Sequence, residues 1–401
     1  REGRSIELSK GLGEIRFTDV AAYIDPTSVS FRDLTARGTQ VLEQNFEFDL
    51  VSPAKLLAKY VDREITLHFD DRESVPVIRG RLLSAAGNTA VLETGDGIQI
   101  VPTGDARISM GELPGGLITK PTLVWKLNAA TGGTHQIETS YQTRGLTWRA
   151  DYNLTLNGDD TEGSINSWGT LLNISGSSYS NARLKLVAGD VQLIRPSQMN
   201  RARGMMMAEA AAYDSPPTGF QEESFFEYHL YTLPRRTDIK SNGTQQITLF
   251  PPVNGFKVVK ELLYRGSGLQ GASWGREPVT NRGYGAGSGG DVEVFIEFEN
   301  ERDNGLGIPM PAGKIRIFKT NPNDGALEFL GEDLIGHTPR NETIRVKTGD
   351  AFDVIGERTQ VDFKLDKSRR TMTETWSIEI RNQKSVVQQV TIEEPMYRWR
   401  T

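Results

Sequence analysis

The chain has 401 residues, a formal net charge of −6 and no cysteine. It is longer than one compact core usually requires, so two or three domains are expected. The absence of cysteine excludes thiol nucleophiles, thiolate metal sites and disulfides. The 46 basic and 52 acidic residues are mixed along the chain, so no basic stripe of the kind that binds a phosphate backbone is present, and nucleic acid is not an expected partner.

No apolar run approaches the roughly 20 residues that span a bilayer, so no transmembrane segment is expected. The first residues, "REGRSIELSK", already alternate between apolar and polar side chains and lack an initiator Met. We therefore expect a processed or trimmed start, and the absence of a signal peptide says little about export.

Alternation with period two recurs along the whole chain and is interrupted by Gly, Asn and Asp turns, which is typical of half-buried antiparallel strands. The expected fold is mainly β and multidomain, with antiparallel sheets and few helices. Residues 1–52, which include "GEIRFTDV", are predicted to form an N-terminal β region that pairs with the central sheet.

Residues 53–112 predict one helix followed by five short strands. Ser52 can cap the helix and Pro53 suits its first position. This order resembles a small Sm-like or SH3-like β-barrel. Such barrels often bind RNA or peptides, but these strands carry no interleaved Lys and aromatic residues, so fold analogy does not assign that function.

Residues 113–290 predict a central β-rich domain with a mobile connection over 196–222. Within it, 201–213 ("RARGMMMAEAAAY") is a second helix candidate, although consecutive Met residues do not share one helical face. Residues 291–401 have the even strand spacing of a C-terminal β-sandwich. Alternation continues into the last residues, "EEPMYRWRT", so this sandwich is expected to be truncated.

Two acidic segments are candidate metal sites. The loop "ENERDNGLG" carries Glu299, Glu301 and Asp303, and loops with so many oxygens can hold calcium, although solvated turns are commoner. The segment "GEDLIGHTP" brings Glu332, Asp333 and His337 together, while zinc usually needs three or four ligands. No cofactor is expected, and calcium or another divalent metal is the ligand that these residues would suit.

Signals for catalysis are weak. "GASWG" matches a nucleophile elbow at Ser273, but loop composition follows where the elbow requires a helix, so no catalytic residue is assigned. The four histidines have no ligand spacing. Trp148, Trp168 and Trp274 could serve a carbohydrate or peptide binder, although burial is the commoner fate of Trp.

The segment "GLGIPMPAGKIRIF" begins at Gly305. Its two prolines predict a stiff extended approach, Gly313 is expected to permit a turn, and "KIRIF" predicts a strand with Ile315 and Ile317 on one face. A turn that leads into a strand accounts for every residue of this segment.

Several stretches together resemble the domain of unknown function 4139, a family of bacterial proteins that includes the mucoidy-inhibitor-like proteins. The stretches are "GLTWRADYNLTL", "FEYHLYTLPRRTDI", "ENERDNGLGIPMPAGKIRIF", "LEFLGEDLIGHTPRNETIRVKTGDAFDV" and "SIEIRNQKSVVQQVTIEEP". The resemblance implies an exported cell-envelope protein, in the periplasm, at the cell surface or outside the cell. It implies no chemistry. Many relatives carry a long coiled coil where this chain has residues 53–112.

The first functional hypothesis is a non-catalytic envelope or surface scaffold that binds protein partners or copies of itself, since exposed strand edges can pair with another chain. The first alternative is a metal-assisted hydrolase that uses the acidic loops, and it needs ligands that converge from separate strands. The second alternative is a carbohydrate or peptide binding module.

Overall fold

The computed structural model describes residues 1–69, 77–115, 117–189, 220–225, 228–266, 279–285, 289–368 and 370–394. These residues are mainly β, in several sheets whose strand pairs are mostly antiparallel, with one short α-helix, as the alternation predicts. No helix among them has the length and apolar content needed to cross a membrane. The chain divides into two compact units.

Unit 1 comprises Arg1–Leu146, Asn173–Tyr179 and Lys240–Gly243. Its helix α1 is Pro53–Lys59, and a 3-10 turn covers Pro26–Ser28. Its strands are β1 (Glu2–Leu8), β2 (Gly11–Thr18), β3 (Ser30–Asp33), β4 (Gln40–Glu47), β5 (Glu64–Phe69), β6 (Val77–Ala86), β7 (Thr89–Thr94), β8 (Gly97–Pro102), β9 (Ala106–Ser109), β10 (Thr122–Ala129) and β11 (Gly133–Ser140).

Two three-stranded sheets in unit 1, in the orders β1-β11-β3 and β2-β10-β4, share one core. Trp125 of β10 is fully buried there, with Phe17 and Phe31 edge-on to its ring. Its indole Nε1 donates to Gln44 Oε1 at 2.8 Å, so the one polar atom of this large side chain is satisfied.

The helix and five strands predicted for 53–112 are confirmed. Ser52 Oγ accepts from the Lys55 amide at the start of α1, and Pro53 is the first helical residue. The strands form one antiparallel sheet in the order β8-β7-β6-β5-β9, consistent with the small barrel expected there. The core beneath them contains Tyr60, Ile65, Leu67, Leu82, Leu92 and Val101.

Unit 2 comprises Thr147–Leu172, Ser180–Ile239 and Thr244–Thr401. Its strands, four of which have one end residue in unit 1, are β12 (Leu146–Leu156), β13 (Glu162–Asn173), β14 (Tyr179–Ala182), β15 (Lys185–Ala188), β16 (Gln221–Phe225), β17 (Tyr228–Thr232), β18 (Thr237–Ile239), β19 (Gly243–Thr248), β20 (Val253–Lys257), β21 (Val259–Arg265), β22 (Asp291–Glu299), β23 (Gly313–Thr320), β24 (Leu327–Ile335), β25 (Thr343–Asp366), β26 (Thr371–Asn382) and β27 (Val390–Glu393).

Most of the predicted connection 196–222 lies outside the described residues, and so does the helix candidate 201–213. The last two residues of that connection, Gln221 and Glu222, already belong to β16. Strand β16 pairs with β17, which in turn pairs with β15.

A six-stranded sheet of unit 2 has the order β19-β13-β12-β23-β24, with β20 beside β13. Ile315 and Ile317 of β23 are fully buried, as predicted. The expected role of Gly313 was wrong, because Gly313 is the first residue of β23 and its φ is not positive. A Cβ there would lie 2.2 Å from the Ala150 carbonyl oxygen, so glycine is needed for close approach to the parallel strand β12.

The second large sheet of unit 2 has the order β26-β25-β22-β21-β27. Strand β25 is 24 residues long and pairs with β22 only as far as Ile355, after which β26 is its strand partner. We call residues 357–366 of β25 with 371–380 of β26 the ribbon. Strand β12 pairs with β23 in the first of these sheets, and β21 pairs with β22 in the second. The strands after residue 291 therefore pair both with each other and with earlier strands.

Candidate functional site

The acidic loop predicted to bind calcium borders an open cavity of about 370 Å³. Glu299 ends β22, and Glu301 and Asp303 lie in the turn that follows. Glu299 accepts a hydrogen bond from Thr343 Oγ1 at 3.0 Å. Lys257, Val259, Glu297, Phe298 and Asn304 complete the lining.

Ionisation of Glu297, which lines this cavity, is electrostatically unfavourable. Burial of its carboxyl, together with the nearby charge of Glu261, raises the pKa of Glu297 above its usual value. Arg345 opposes this effect by binding Glu297 at 3.0 Å and Glu261 at 2.5 Å. The cavity is therefore acidic, and one guanidinium holds two of the carboxylates near it.

The residues of the second predicted metal site, Glu332, Asp333 and His337, each bind another group of the protein. Glu332 binds Lys314 Nζ at 2.7 Å, and this hydrogen bond lowers the pKa of Glu332. Asp333 accepts from the Lys347 amide at 2.7 Å. His337 Nδ1 accepts from the Ala312 amide at 3.1 Å.

The six predicted ligands therefore do not converge on one point. Within the described ranges, no group of three or more His, Asp and Glu side chains has the geometry to hold a metal ion. The described part of the chain thus offers the metal-assisted hydrolase no ligand set.

Asn300, near the start of the acidic loop, is fully buried and holds the loop together. Its Nδ2 donates to the carbonyls of Ile308 and Pro339, both at 2.8 Å. Its Oδ1 accepts from the amides of Gly307 at 3.1 Å and Ile308 at 3.2 Å. A side chain that spends its whole hydrogen-bonding capacity on backbone groups is structural, and such a role cannot be distinguished by sequence from a polar turn.

Two buried tyrosines, Tyr152 and Tyr231, also bind backbone groups of the loop, and we call them together with Asn300 the clamp. Tyr152 OH donates to the Pro311 carbonyl and Tyr231 OH to the Pro309 carbonyl, both at 2.8 Å. Burial raises the pKa of both phenols well above 10, so both hydroxyls keep the protons that they donate. The backbone carbonyls of 308, 309 and 311 are thus each bound by a buried side chain.

Two of the three tryptophans considered for ligand binding, Trp148 and Trp168, lie within the described residues. Trp148 and Trp168 are each half-buried, on β12 and β13. Trp148 Nε1 donates to the Val187 carbonyl at 3.2 Å. Trp274 and the elbow candidate Ser273 lie outside the described residues.

A buried carboxylate lies between strands of the six-stranded sheet. Asp151 of β12 is 3% exposed, and its Oδ2 accepts from Thr170 Oγ1 at 2.6 Å and from Arg149 Nε at 3.1 Å. Within the described residues its Oδ1 accepts no hydrogen bond. Arg316 Nη1 lies 3.8 Å from that oxygen and also faces Glu332, so the charges form a chain across the sheet.

The ribbon leaves a long strand edge open. Strand β26 is 12 residues long, and β25 is its only strand partner among the described residues. One of its faces is exposed and consists of Thr371, Thr373, Thr375, Ser377 and Glu379. The other face is half-buried and consists of Met372, Glu374, Trp376, Ile378 and Ile380. The strand contains neither Pro nor Lys, the residues that commonly protect an edge.

Arg358 fixes the base of the ribbon. Its side chain is completely buried and binds Glu394 through Nε at 2.9 Å and Nη2 at 2.5 Å. Its Nη1 donates to the Gly285 carbonyl at 2.7 Å. Its guanidinium lies 3.3 Å from the centre of the Trp376 ring, which adds a cation–π contact. Both strands of the ribbon are therefore tied to the body of the sheet.

The charged side chains of β26 contact side chains of the same hairpin. Glu374 accepts from Gln360 Nε2 at 3.0 Å. Arg381 Nη1 binds Glu357 at 2.8 Å and Glu379 at 3.2 Å. The edge therefore presents backbone groups and Thr side chains with little net charge.

The alternation in 371–382 is typical of a strand, but it cannot identify that strand as an edge. The residues that anchor it, Arg358 and Glu394, are far apart in the chain, and nothing in their local pattern links them. Comparison of the chain with protein-family models, with curated proteins and with solved structures found no match.

Proposed function

We propose that this protein is a non-catalytic interaction scaffold whose protein partner adds a strand to the open edge of β26. The observation that carries the proposal is the 12-residue edge, which lacks Pro and Lys and has no strand beyond it among the described residues. In strand addition, main-chain hydrogen bonds supply affinity and alternate side chains supply specificity.

The anchoring of the ribbon by Arg358 favours strand addition. A free two-stranded hairpin is only marginally stable in water, whereas Arg358 ties this ribbon to Glu394 and to Trp376. Holding the edge in an extended conformation before binding reduces the entropy that a partner must overcome.

Two other edge strands are weaker candidates. Strand β24 exposes Leu327, Phe329 and Leu334, but β25 crosses its edge. A Cβ on Gly331 would lie 2.2 Å from the Thr348 carbonyl oxygen there. Strand β8 exposes Ile98 and has only 6 residues.

We also propose that the chain is an exported bacterial envelope protein of the domain of unknown function 4139 family. This part rests on the motif resemblance, above all on 304–318 and 331–353. Fractionation of cells that express the full-length protein tests it. Recovery with the cytoplasmic fraction alone would contradict it.

Site-specific photo-crosslinking tests the interaction mode. A photoreactive residue is placed at Thr373 on β26 in the full chain, with the same residue at Thr359 on β25 as the matched control, because both side chains are exposed. Crosslinks from Thr373 should map to an extended segment of the captured protein. They should disappear when Thr375→Lys and Ser377→Lys are combined in the same chain.

Metal analysis of the same purified protein tests the non-catalytic part. We expect no divalent metal at a stoichiometric level. The proposal would be overturned by one bound metal ion per chain, or by crosslinks that persist when Thr375→Lys and Ser377→Lys are combined.

A further inference from the structure

We infer that the strand added to β26 is β26 of a second copy of this chain, in an antiparallel pair about a two-fold axis. The inference rests on the proposed function and names its partner. Pairing two identical edges is an isologous contact, so it joins two five-stranded sheets into one and leaves no open β26 edge.

The pattern of charges favours an antiparallel pair of copies. Charged residues on β26 are Glu374, Glu379 and Arg381. In a parallel in-register stack each of them would face its own copy, which places like charges opposite one another three times. In antiparallel registers centred on Trp376 or on Ser377, every charged residue faces an uncharged one. Since like charges directly opposite are destabilising, the antiparallel pair of copies is favoured over the parallel in-register arrangement.

The length over which two β26 strands overlap, and the side chains that would face each other, favour the antiparallel registers as well. With Trp376 at the centre, all residues from 371 to 381 find a partner, because this residue is next to the midpoint of β26. Met372 then faces Ile380, and Thr375 faces Ser377. Apolar and hydroxyl pairs of this kind stabilise adjacent strands.

The contact with Arg358 orients Trp376 for pairing with a second copy. Its ring is held against the Arg358 guanidinium at 3.3 Å, so its orientation is set before a second copy arrives. On the axis it would meet the same ring of the other copy, and aromatic pairs across strands are among the favourable ones.

Solution mass of the full chain is the first measurement. We expect a dimer by light scattering and a monomer when Thr375→Lys and Ser377→Lys are combined, because the register centred on Trp376 then places lysine against lysine. The matched control carries Ile98→Lys and Ile100→Lys on the edge strand β8, both at exposed positions, and should stay dimeric.

Cysteine mapping then identifies the surface and register. The chain has no cysteine, so any disulfide formed by single-cysteine variants joins two copies. Facing residues of antiparallel strands have Cα atoms about 4.5–5.5 Å apart, within disulfide range. Thr375→Cys mixed with Ser377→Cys should give a crosslinked heterodimer in the register centred on Trp376. Ser377→Cys alone should crosslink in the register centred on Ser377.

Thr359→Cys is the control, because this residue faces Ser377 from within the same hairpin and lies one strand farther from the other copy. A monomer without crosslinks at 375 or 377 overturns the self-pairing. If Thr373 still captures a different protein in that case, the proposed strand addition stands without it. A dimer that crosslinks at 359, or that is lost in the β8 variant, overturns the choice of surface and the proposed function with it.

Discussion

The loop 300–311 and the ribbon lie in the same unit and use polar groups in opposite ways. In the loop, Asn300 turns inward and satisfies backbone groups, and Tyr152 of β12 and Tyr231 of β17 donate to loop carbonyls. In the ribbon, the outer backbone edge of β26 has no strand partner among the described residues. The polar groups of the loop are satisfied within the protein, whereas the ribbon leaves an open backbone edge among the described residues, so a distinctive sequence motif need not mark an open surface.

The largest expected effect comes from breaking the loop. Asn300→Ala removes four side-chain hydrogen bonds and leaves buried backbone groups unpaired, which should lower the free energy of unfolding by about 4 kcal/mol. Chemical denaturation measures it. The exposed Asn323→Ala is the control and should stay within about 0.5 kcal/mol of the parent. A loss below about 1 kcal/mol for Asn300→Ala would mean that the clamp is not structural.

The next effect comes from releasing the ribbon. Arg358→Ala leaves the Glu394 carboxylate, which is about two-thirds covered, without its partner and uncovers the Trp376 ring. We expect a loss of about 3 kcal/mol and faster amide hydrogen exchange across β26. Arg381→Ala, which breaks exposed ion pairs, should cost at most about 1 kcal/mol. Equal exchange rates in the two variants would contradict the anchoring role.

Asp33 in unit 1 is another polar side chain that turns inward, and its ionisation makes the stability of the protein depend on pH. Burial of Asp33 opposes its ionisation, but hydrogen bonds from Thr39 Oγ1, the Ala36 amide, His135 and the Thr35 amide outweigh burial and lower the pKa of Asp33 from 3.8 to about 2. A lowered carboxyl pKa stabilises the folded state above pH 4, and this contribution is lost as pH falls toward 2.

Asp33→Asn should therefore cost about 2 kcal/mol at pH 7. Its deficit relative to the parent should shrink as pH falls from 4 to 2. Unfolding at several pH values measures this difference. A deficit that does not change with pH would show that shape, and not the charge of Asp33, matters at this position.

The smallest expected effect is at the acidic cavity. Because burial and Glu261 raise the pKa of Glu297, its ionisation costs stability as pH rises through the raised pKa. Glu297→Gln should then stabilise the protein at pH 7 by up to about 0.5 kcal/mol, since the group is partly exposed. Thermal unfolding at pH 7 and pH 4 tests this. A destabilised variant would mean that the Arg345 contact outweighs the repulsion.

Local patterns predicted the elements well where the controlling contacts are local. Ser52 and Pro53 specify the start of α1 because a cap and a fixed φ act within one turn. Alternation placed Ile315 and Ile317 on the buried face of β23 because side chains of a strand alternate between its two faces.

The candidate site was predicted only in part. The acidic residues of the loop do border a cavity, whereas Glu332 and His337 are used by Lys314 and by the Ala312 amide. A carboxylate or imidazole has the same appearance in a sequence whether its partner is a metal, a lysine or a backbone amide. Partner identity depends on residues that are distant in the chain.

The amino-acid sequence by itself determined a cysteine-free, mainly β protein with one capped helix and many alternating strands, because composition and periodicity act over a few residues. Tertiary structure alone decided that Asn300 is a buried clamp, that Gly313 serves close approach to Ala150, and that β26 is an edge held by Arg358 and Glu394. Strand order and long-range ion pairs depend on how distant segments meet, and no local pattern encodes that meeting.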